Sequence, residues 1–184
     1  MSYIPKQLNI LLHPDSRLRL KSKPVEAEEI KTPEFQVWLL DLKETMIKKD
    51  GAGLAAPQVG ETKRVITVNH ENKTYFFINP QITKKSWARE TEEEGCLSVL
   101  DENGEIIYAP VTRYKRINCV YLDEKGDKKK ISAEKILARI IQHEVDHLDG
   151  ILFIDRIDLK KLKKIKPISN IKNPQAETEL ETKL

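Results

Sequence analysis

The stretch Gln142-His143-Glu144-Val145-Asp146-His147 decides the fold expected for this chain. A helix advances about 100° per residue, so side chains at positions i and i+4 lie one above the other, and two imidazoles there can share one metal ion. A single histidine on an apolar helix face is more often a hydrogen-bonded core residue. Two histidines at this spacing, with Glu144 between them, instead favour a metal site.

The remainder of this helix indicates which way the histidines point. Ile136 and Ile140 fall on nearly the same line as the two histidines, so this line is predicted to face the protein interior. The opposite face is polar and is predicted to face water; it carries Lys135, Arg139, Gln142, Asp146 and Asp149. Ser132 is the predicted N-cap, and the helix should run to about Asp149, with Gly150 just past its end.

Two histidines do not complete a catalytic metal site, which typically has three protein ligands and one open position for water. In extended metalloprotease motifs the third histidine stands six residues after the second, but here that residue is Phe153. The glutamates further downstream lie only in a polar tail, so the third ligand is expected upstream, with Cys96 as the candidate. Cys119 lies in an alternating strand pattern, where a buried thiol behaves as a small hydrophobe.

The first half of the chain predicts one further helix and two strands. Thr32 and Pro33 supply an N-cap and a first-turn proline, and the basic residues before Gly51 mark the end of that helix. Its apolar residues repeat at helical spacing: Phe35, Trp38, Leu39, Leu42 and Met46. Strand patterns occur at 64–68, 74–78 and 117–122, followed by a turn at 123–126. These elements predict an α+β fold with a largely antiparallel sheet.

Length and composition limit the classes of protein that need considering. A chain of 184 residues is normally one domain with a substantial core. Lys and Arg total 32 against 29 Asp and Glu, so the net charge of +3 gives no argument for a nucleic-acid substrate. Two cysteines in unlike patterns do not suggest a disulfide framework, and no apolar run is long enough to span a membrane. Neither secretion nor membrane insertion is expected.

Three segments together resemble the signature motifs of peptide deformylases, in the order found in that family. They are Gly51-Ala52-Gly53-Leu54-Ala55-Ala56-Pro57-Gln58, Glu94-Gly95-Cys96-Leu97-Ser98 and the histidine stretch 142–147. The resemblance implies an α+β fold in which mostly antiparallel sheets wrap around a central metal-binding helix. It also implies a catalytic domain at 1–157, followed by a basic C-terminal helix and a polar tail at 158–184.

The same resemblance implies a metal-dependent hydrolase that removes the N-formyl group from the formylmethionine of newly synthesised proteins and releases formate. Cys96, His143 and His147 would hold one divalent metal ion, Fe²⁺ in the cell and Zn²⁺, Ni²⁺ or Co²⁺ as replacements. Glu144 would move the proton, while the Gln58 side chain and the Leu97 backbone N–H would stabilise the oxyanion. The expected substrate-binding residues are Gly51, Ala52, Gly53, Glu94, Gly95 and Ile140.

The partners implied are N-formylmethionyl nascent peptides and the ribosome, in the cytoplasm of a bacterium or in an organelle. Two other functions remain open. A peptidase would cleave an internal peptide bond instead of releasing formate. A ribosome- or nascent-chain-binding protein with a structural metal would have no activity, but Glu144 argues against it because a closed structural site needs no base.

Three features depart from the usual family pattern. Leu100 stands where a proline is common, and the segment 101–104 lacks the arginine that usually helps to hold the peptide. If Arg113 matches the usual arginine ahead of the next strand, the connection 99–110 is longer than the common form, so peptide binding is expected to differ. Lys135 replaces a frequent glycine near the start of the metal helix, a change expected to favour helix formation.

Overall fold

Three α-helices and seven strands make up residues 3–157, the part of the chain that the computed structural model describes. The helices are α1 (Ala27–Ile30), α2 (Pro33–Lys48) and α3 (Lys135–Leu148). The strands are β1 (Gly53–Ala55), β2 (Val65–His70), β3 (Lys73–Lys85), β4 (Arg89–Glu94), β5 (Ala109–Tyr114), β6 (Arg116–Leu122) and β7 (Lys128–Glu134). Short 3-10 helices occupy Ser16–Arg19, Ala56–Val59 and Phe153–Arg156. The predicted basic helix and tail at 158–184 lie outside the described residues.

The strands form two antiparallel sheets. One has five strands in the order β1-β2-β3-β6-β7, and the other is the β4-β5 pair. The three predicted strands are confirmed as β2, β3 and β6, although β3 continues well beyond the predicted end. β4 was not predicted because its sequence, RETEEE, is rich in charged residues and has little strand propensity. Its pairing with β5 and with arginines from the core stabilises it as a strand.

Helix α2 forms where its cap and apolar spacing predict. The Thr32 hydroxyl accepts a hydrogen bond from the Phe35 N–H at 3.3 Å, and Pro33 occupies the first turn. The face that carries Phe35, Leu39 and Met46 is buried against β1 and β2. These contacts place the end of α2 beside the glycine-rich segment 51–53.

Helix α3 lies between the two sheets and contacts β1, β2, β5, β6 and β7. Ala138, Ile141 and Val145 pack with the inner face of the five-stranded sheet. The expectation of antiparallel sheets around a central helix is therefore confirmed. Cys119 is buried in this core, as predicted, and burial raises the pKa of its thiol to about 11. Within residues 3–157, no helix combines the length and apolar character needed to cross a membrane.

The prediction that the polar face of α3 meets water is confirmed for Lys135 and Asp149 at its two ends but is wrong for the residues between them. Arg139, Gln142 and Asp146 are buried, because the β4-β5 pair and the C-terminal 3-10 helix cover that face. The Gln142 side chain donates to the Tyr114 carbonyl at 2.9 Å and accepts from its N–H at 3.1 Å. Ile136, predicted to face the interior, is instead half exposed.

The start of α3 also differs from the prediction. Ser132 belongs to β7, and Glu134 stands at the N-cap without a side-chain cap. Lys135 has φ +52°, a left-handed conformation that disfavours any side chain with a Cβ. The expectation that Lys135 favours the helix was therefore wrong. The C-terminal end is confirmed, with Asp149 at the C-cap and Gly150 beyond it at φ +74°.

Candidate active site

The structure brings together the three residues expected to bind metal. The ligand atoms of Cys96, His143 and His147 all lie within 4.8 Å of one another, and the Cys96 Sγ is 3.3 Å from the His147 Nε2. α3 supplies both imidazoles from one face, and the turn after β4 supplies the thiol. Since metal–sulfur and metal–nitrogen bonds are about 2.3 and 2.0–2.1 Å long, one ion can reach donors at these separations.

Glu94 positions the first histidine of this cluster. Its Oε2 lies 3.0 Å from the His143 Nδ1, which leaves the His143 Nε2 for the metal. Arg113 donates two bonds of 2.9 Å to the same carboxylate, and Arg139 donates a third at 2.6 Å. Burial alone would raise the pKa of Glu94, but the hydrogen bonds from His143 and Arg113 hold it well below its usual range. The carboxylate is therefore ionised and fixed.

The electrostatics of the cluster suit a bound cation. Burial lowers the pKa of His147 well below its ordinary value, so this imidazole is neutral and free to act as a ligand. Burial opposes a charge on His143 as well, yet hydrogen bonds with Cys96 and Glu94 raise its pKa to about 10. The position of His143 thus favours positive charge, which a divalent metal would supply in place of the proton. One thiolate and two imidazoles fit such an ion.

Glu144 is a buried carboxyl group beside the metal ligands. Its Oε2 has no hydrogen-bond partner among residues 3–157, and burial raises its pKa to about 7. The carboxyl lies directly against β1, because a Cβ on Gly53 would be only 2.5 Å from the Glu144 Oε1. A carboxyl with a pKa near neutrality can both accept and return a proton.

The Gln58 amide is held with its donor toward the cluster. Its Oε1 accepts a hydrogen bond from the Ala55 N–H at 2.8 Å, which fixes the orientation of the amide. The Nε2 then lies 3.5 Å from the Cys96 Sγ and 3.1 Å from the Ser98 Oγ. Leu97 follows the thiol directly and lines the same space.

These groups border a cavity of about 290 Å³. All predicted site residues except His147 line it, including Gly51, Ala52, Gly95 and Ile140. Six other lining residues were not predicted as site residues: Ile106, Tyr108, Ile136, Arg139, Asp50 and Glu93. The sequence feature that could have identified Ile106 and Tyr108 is the altered connection 99–110, in which both residues lie. Nothing in the helical pattern marked Arg139, whose side chain reaches this wall only because β4 lies across the helix.

Comparison with known proteins agrees with this geometry. Residues 7–163 match the model of the polypeptide deformylase family. The chain belongs to the peptide deformylase family. Removal of the N-formyl group from nascent peptides is the activity of this family of hydrolases, and its members depend on a metal.

Individual relatives show how far the similarity extends. The chain is 46% identical over 151 residues to a peptide deformylase of Stenotrophomonas maltophilia, covering 80% of this chain and 85% of that protein. It is 54% identical over 111 residues to the peptide deformylase of Treponema pallidum, covering 60% of this chain and 65% of that protein, just under two thirds of its length.

Solved structures of deformylases have the same fold. The actinonin-bound class I type b enzyme from Acinetobacter baumannii superposes with a TM-score of 0.77 at 35% identity, covering 83% of this chain and 99% of that one. The Thermotoga maritima deformylase gives a TM-score of 0.76 at 36% identity, covering 83% and 98%. The α+β architecture predicted from the motifs is therefore that of the family.

Within this deformylase fold, Glu94 lines the cavity, and its role in substrate binding stays a prediction. Both of its side-chain oxygens are occupied by His143 and two arginines. Arg113, noted in the sequence only as a landmark, is buried and also pairs with Asp146. We therefore treat Glu94 as a residue that orients His143.

Proposed function

We propose that this protein removes the formyl group from the N-terminal formylmethionine of newly synthesised proteins and releases formate. One observation carries the proposal: Glu144, whose Oε2 has no hydrogen-bond partner among residues 3–157, lines the same cavity as Cys96 and His143 of the ligand cluster. A structural metal site would be closed and would need no neighbouring base. Membership of the deformylase family supports this activity over peptide-bond cleavage.

Cys96, His143 and His147 would hold the metal, with the Glu94 carboxylate fixing the His143 ring. A divalent metal held by these residues would lower the pKa of a water from ~15.7 toward neutral. We propose Fe²⁺ as the metal in the cell, with Zn²⁺, Ni²⁺ and Co²⁺ as replacements in purified protein. Mixed thiolate and imidazole ligands are compatible with all four ions.

Glu144 would accept the proton of the attacking water and then deliver it to the leaving amine. Burial raises the pKa of this carboxyl above its ordinary value, which favours a group that both takes up and returns a proton. The Gln58 amide and the Leu97 N–H would donate hydrogen bonds to the oxyanion that forms when the formyl carbon is attacked. Loss of one such donor commonly costs about 2.7 to 4 kcal/mol of transition-state stabilisation.

The rest of the cavity would bind the peptide. Gly51, Ala52, Gly53 and Gly95 line this part of the cavity. The absence of a side chain at Gly53 lets the Glu144 carboxyl pack directly against the backbone there. Ile140 adds apolar surface for the methionine side chain. The A. baumannii deformylase has been solved with Met-Ala-Ser bound, and it shares this fold with a TM-score of 0.78.

We propose that the partners are nascent chains at the ribosome, in the cytoplasm. The family's activity on nascent peptides supports the first partner. A sequence feature supports contact with the ribosome, because a run of lysines at 160–166 offers positive charge to an acidic surface. This run lies outside the described residues.

The decisive experiment separates three functions in one preparation. The protein should be purified without oxygen, analysed for metal content, and incubated with formyl-Met-Ala-Ser. We expect about one metal ion per chain and formate release, with no cleavage of internal peptide bonds. Internal cleavage without formate would show a peptidase, and bound metal without either product would show a structural site.

A further inference from the structure

A tryptophan is fully exposed at one corner of the molecule. Trp87 lies in the turn between β3 and β4, and its whole side chain is open to water. Tryptophan is highly buried on average in folded proteins, so an indole left in water is an informative exception. Its neighbours in the turn, Ser86 and Ala88, are small and add little apolar surface. The turn therefore presents one flat aromatic ring to a ligand.

Hydrogen bonds hold the backbone of this turn in place. The Ser86 N–H donates to the Arg116 carbonyl at 2.9 Å, and the Arg116 N–H donates to the Ser86 hydroxyl at 3.2 Å. On the other side of Trp87, the Lys115 N–H donates to the Ala88 carbonyl at 3.0 Å. These bonds join the β3–β4 turn to the β5–β6 turn. A ligand that stacks on the indole therefore does not have to order the backbone beneath it.

Positive charges surround the tryptophan. The two joined turns carry five of them, and the start of α3 adds a sixth because the Lys135 N–H donates to the Lys115 carbonyl at 3.0 Å. We call these six residues the basic corner: Lys84, Lys85, Arg89, Lys115, Arg116 and Lys135. Within residues 3–157, two carboxylates pair with them, Glu90 with Lys115 at 3.3 Å and Glu134 with Arg116 at 2.7 Å. Six positive charges against two negative ones leave an excess of four, although the whole chain carries only +3.

Two cations of the basic corner are held by an aromatic ring. The Lys85 Nζ lies 5.2 Å from the centre of the Tyr114 ring, and the central guanidinium carbon of Arg89 lies 4.6 Å from it. Arg89 also donates to the Tyr114 hydroxyl at 2.9 Å. A cation–π contact orients a cation without neutralising its charge. Lys85 and Arg89 are therefore positioned and still able to bind an anion.

An exposed indole among unneutralised cations has the chemistry of a surface for unpaired RNA. Proteins bind single strands by stacking bases on aromatic side chains while basic groups follow the phosphates. An acidic peptide would use the charges but leave the indole in water. A membrane surface would need a larger apolar face than one indole between a serine and an alanine. The bases of a duplex are stacked on one another and cannot reach Trp87.

We propose that the basic corner is a docking surface for an unpaired segment of ribosomal RNA, with one base stacked on Trp87. The inference rests on the action on nascent chains proposed above, and the RNA is a docking partner, not a substrate. None of the six basic residues, all in the described part of the chain, lines the cavity. Arg89 and Glu94 stand at opposite ends of β4, roughly 16 Å apart at about 3.3 Å per residue. Bound RNA would therefore leave the cavity open to a peptide.

The first test follows the fluorescence of Trp87 in the full chain. The sequence has two tryptophans, so Trp38→Phe leaves Trp87 as the one emitting indole. Single-stranded RNA of about eight nucleotides should quench this emission, and the affinity should fall steeply between about 50 and 200 mM salt. Equal quenching by an RNA duplex would overturn the assignment to unpaired RNA. A blue shift with vesicles of anionic lipid, without a response to RNA, would overturn it in favour of a membrane surface.

The second test measures the affinity of variants for the same RNA by fluorescence anisotropy of a labelled strand. Trp87→Ala should weaken binding about tenfold because one stacked base is lost, and Trp87→Phe should restore most of the affinity. Lys84→Ser should make the affinity less dependent on salt. Lys21→Ser is the matched control, because Lys21 is also exposed but precedes Ser22, whose N–H contacts the Leu148 carbonyl at the other end of α3. The lysines at 160–166 are present in every variant and cannot cause a difference between them.

The same proteins are then sedimented with purified ribosomes and assayed for formate. Trp87→Ala should lower the fraction retained on ribosomes and leave formate release from a free formyl-Met peptide unchanged, because Trp87 does not line the cavity. Equal binding of RNA by the parent and Trp87→Ala would overturn the docking surface, and equal retention on ribosomes would overturn its assignment to ribosomal RNA. No formate from the parent would overturn the proposed activity, whatever the result with RNA.

Discussion

The two polar faces of α3 are both buried but have different chemistry. One face carries His143 and Glu144, which line the cavity, and His147, which lies behind the Cys96 thiol; the Glu144 Oε2 and the His147 Nδ1 have no hydrogen-bond partner within residues 3–157. The other presents Arg139 and Asp146 to the β4-β5 sheet, where both are fully engaged by opposite charges. Buried polar groups that are completely paired hold the structure together, and those left partly unpaired are available for chemistry.

The second face of α3, called here the paired face, forms one chain of alternating charges with side chains from β4, β5 and the C-terminal 3-10 helix. It contains three carboxylates and three guanidinium groups in the order Glu92, Arg139, Glu94, Arg113, Asp146 and Arg156. Because the charges balance, no member is buried without a partner. Glu94 also contacts His143 and therefore connects the two faces.

The largest effect is expected when one of the predicted metal ligands is removed. Cys96→Ala should lose metal and activity together, because two imidazoles alone do not complete the site. Metal analysis and formate release on the same sample would measure both. His143→Ala and His147→Ala should behave alike, with Cys119→Ala as the control that keeps both properties. A Cys96→Ala protein that retained a full equivalent of tightly bound metal would remove Cys96 from the ligand set.

The next test separates proton transfer from metal binding on the same face. Glu144→Gln keeps the size of the side chain but cannot accept a proton, and acid–base catalysis is usually worth about 100- to 10,000-fold. Because one group would serve both proton transfers, we expect the rate of formate release to fall by a factor near the upper end of this range, with metal content unchanged. Near-normal turnover, or loss of the metal, would contradict the assigned role.

Two substitutions on the paired face should have unlike effects. Glu94→Gln should weaken metal affinity by about 10- to 100-fold, because it disturbs the partner of His143. Asp146→Asn leaves Arg113 partly unpaired in the core, so it should lower the free energy of unfolding by roughly 3 to 5 kcal/mol with little change in metal affinity. Metal titration and denaturant unfolding would distinguish them. Equal effects of both variants on metal affinity would show that the two faces are not separable.

The stability of the chelator-treated protein should depend on pH at Glu144. Its folded pKa is raised from 4.5 to about 7. The stability contributed by the protonated carboxyl is therefore complete below about pH 4.5 and lost as the pH rises through about 7. Relative to the parent, Glu144→Gln should be more stable by on the order of 3 kcal/mol at pH 8 and equally stable at pH 4. Denaturant midpoints at the two pH values would measure this, and a constant difference would contradict it.

The smallest effect is expected where α3 begins. Lys135 has φ +52°, and a left-handed conformation costs a residue with a Cβ roughly 1 to 2 kcal/mol. Lys135→Gly should raise the free energy of unfolding by about 1 kcal/mol after allowing for the greater flexibility of glycine in the unfolded chain. Lys135→Ala keeps the Cβ and is the control. Equal stability of the two variants would show that the backbone at this position is not strained.

Local patterns in the sequence were sufficient to place several parts of the site. The i, i+4 spacing of His143 and His147 follows from the period of the helix, whatever surrounds it. The Thr32 cap and the apolar spacing of α2 are likewise properties of a short segment. The three motifs indicated which distant segments meet at the cavity, including Gln58 and Cys96.

Only the tertiary structure decided what covers each surface. Helical periodicity showed that Arg139, Gln142 and Asp146 share a face, but the β4-β5 sheet made that face interior. β4 itself carries too many charges to be predicted, and it is stable as a strand because Arg139 and Arg113 neutralise its glutamates. The positions of Ile106 and Tyr108 on the cavity wall likewise depend on their packing against Gly95. Backbone periods operate over a few residues, whereas burial and charge pairing depend on contacts between segments far apart in the chain.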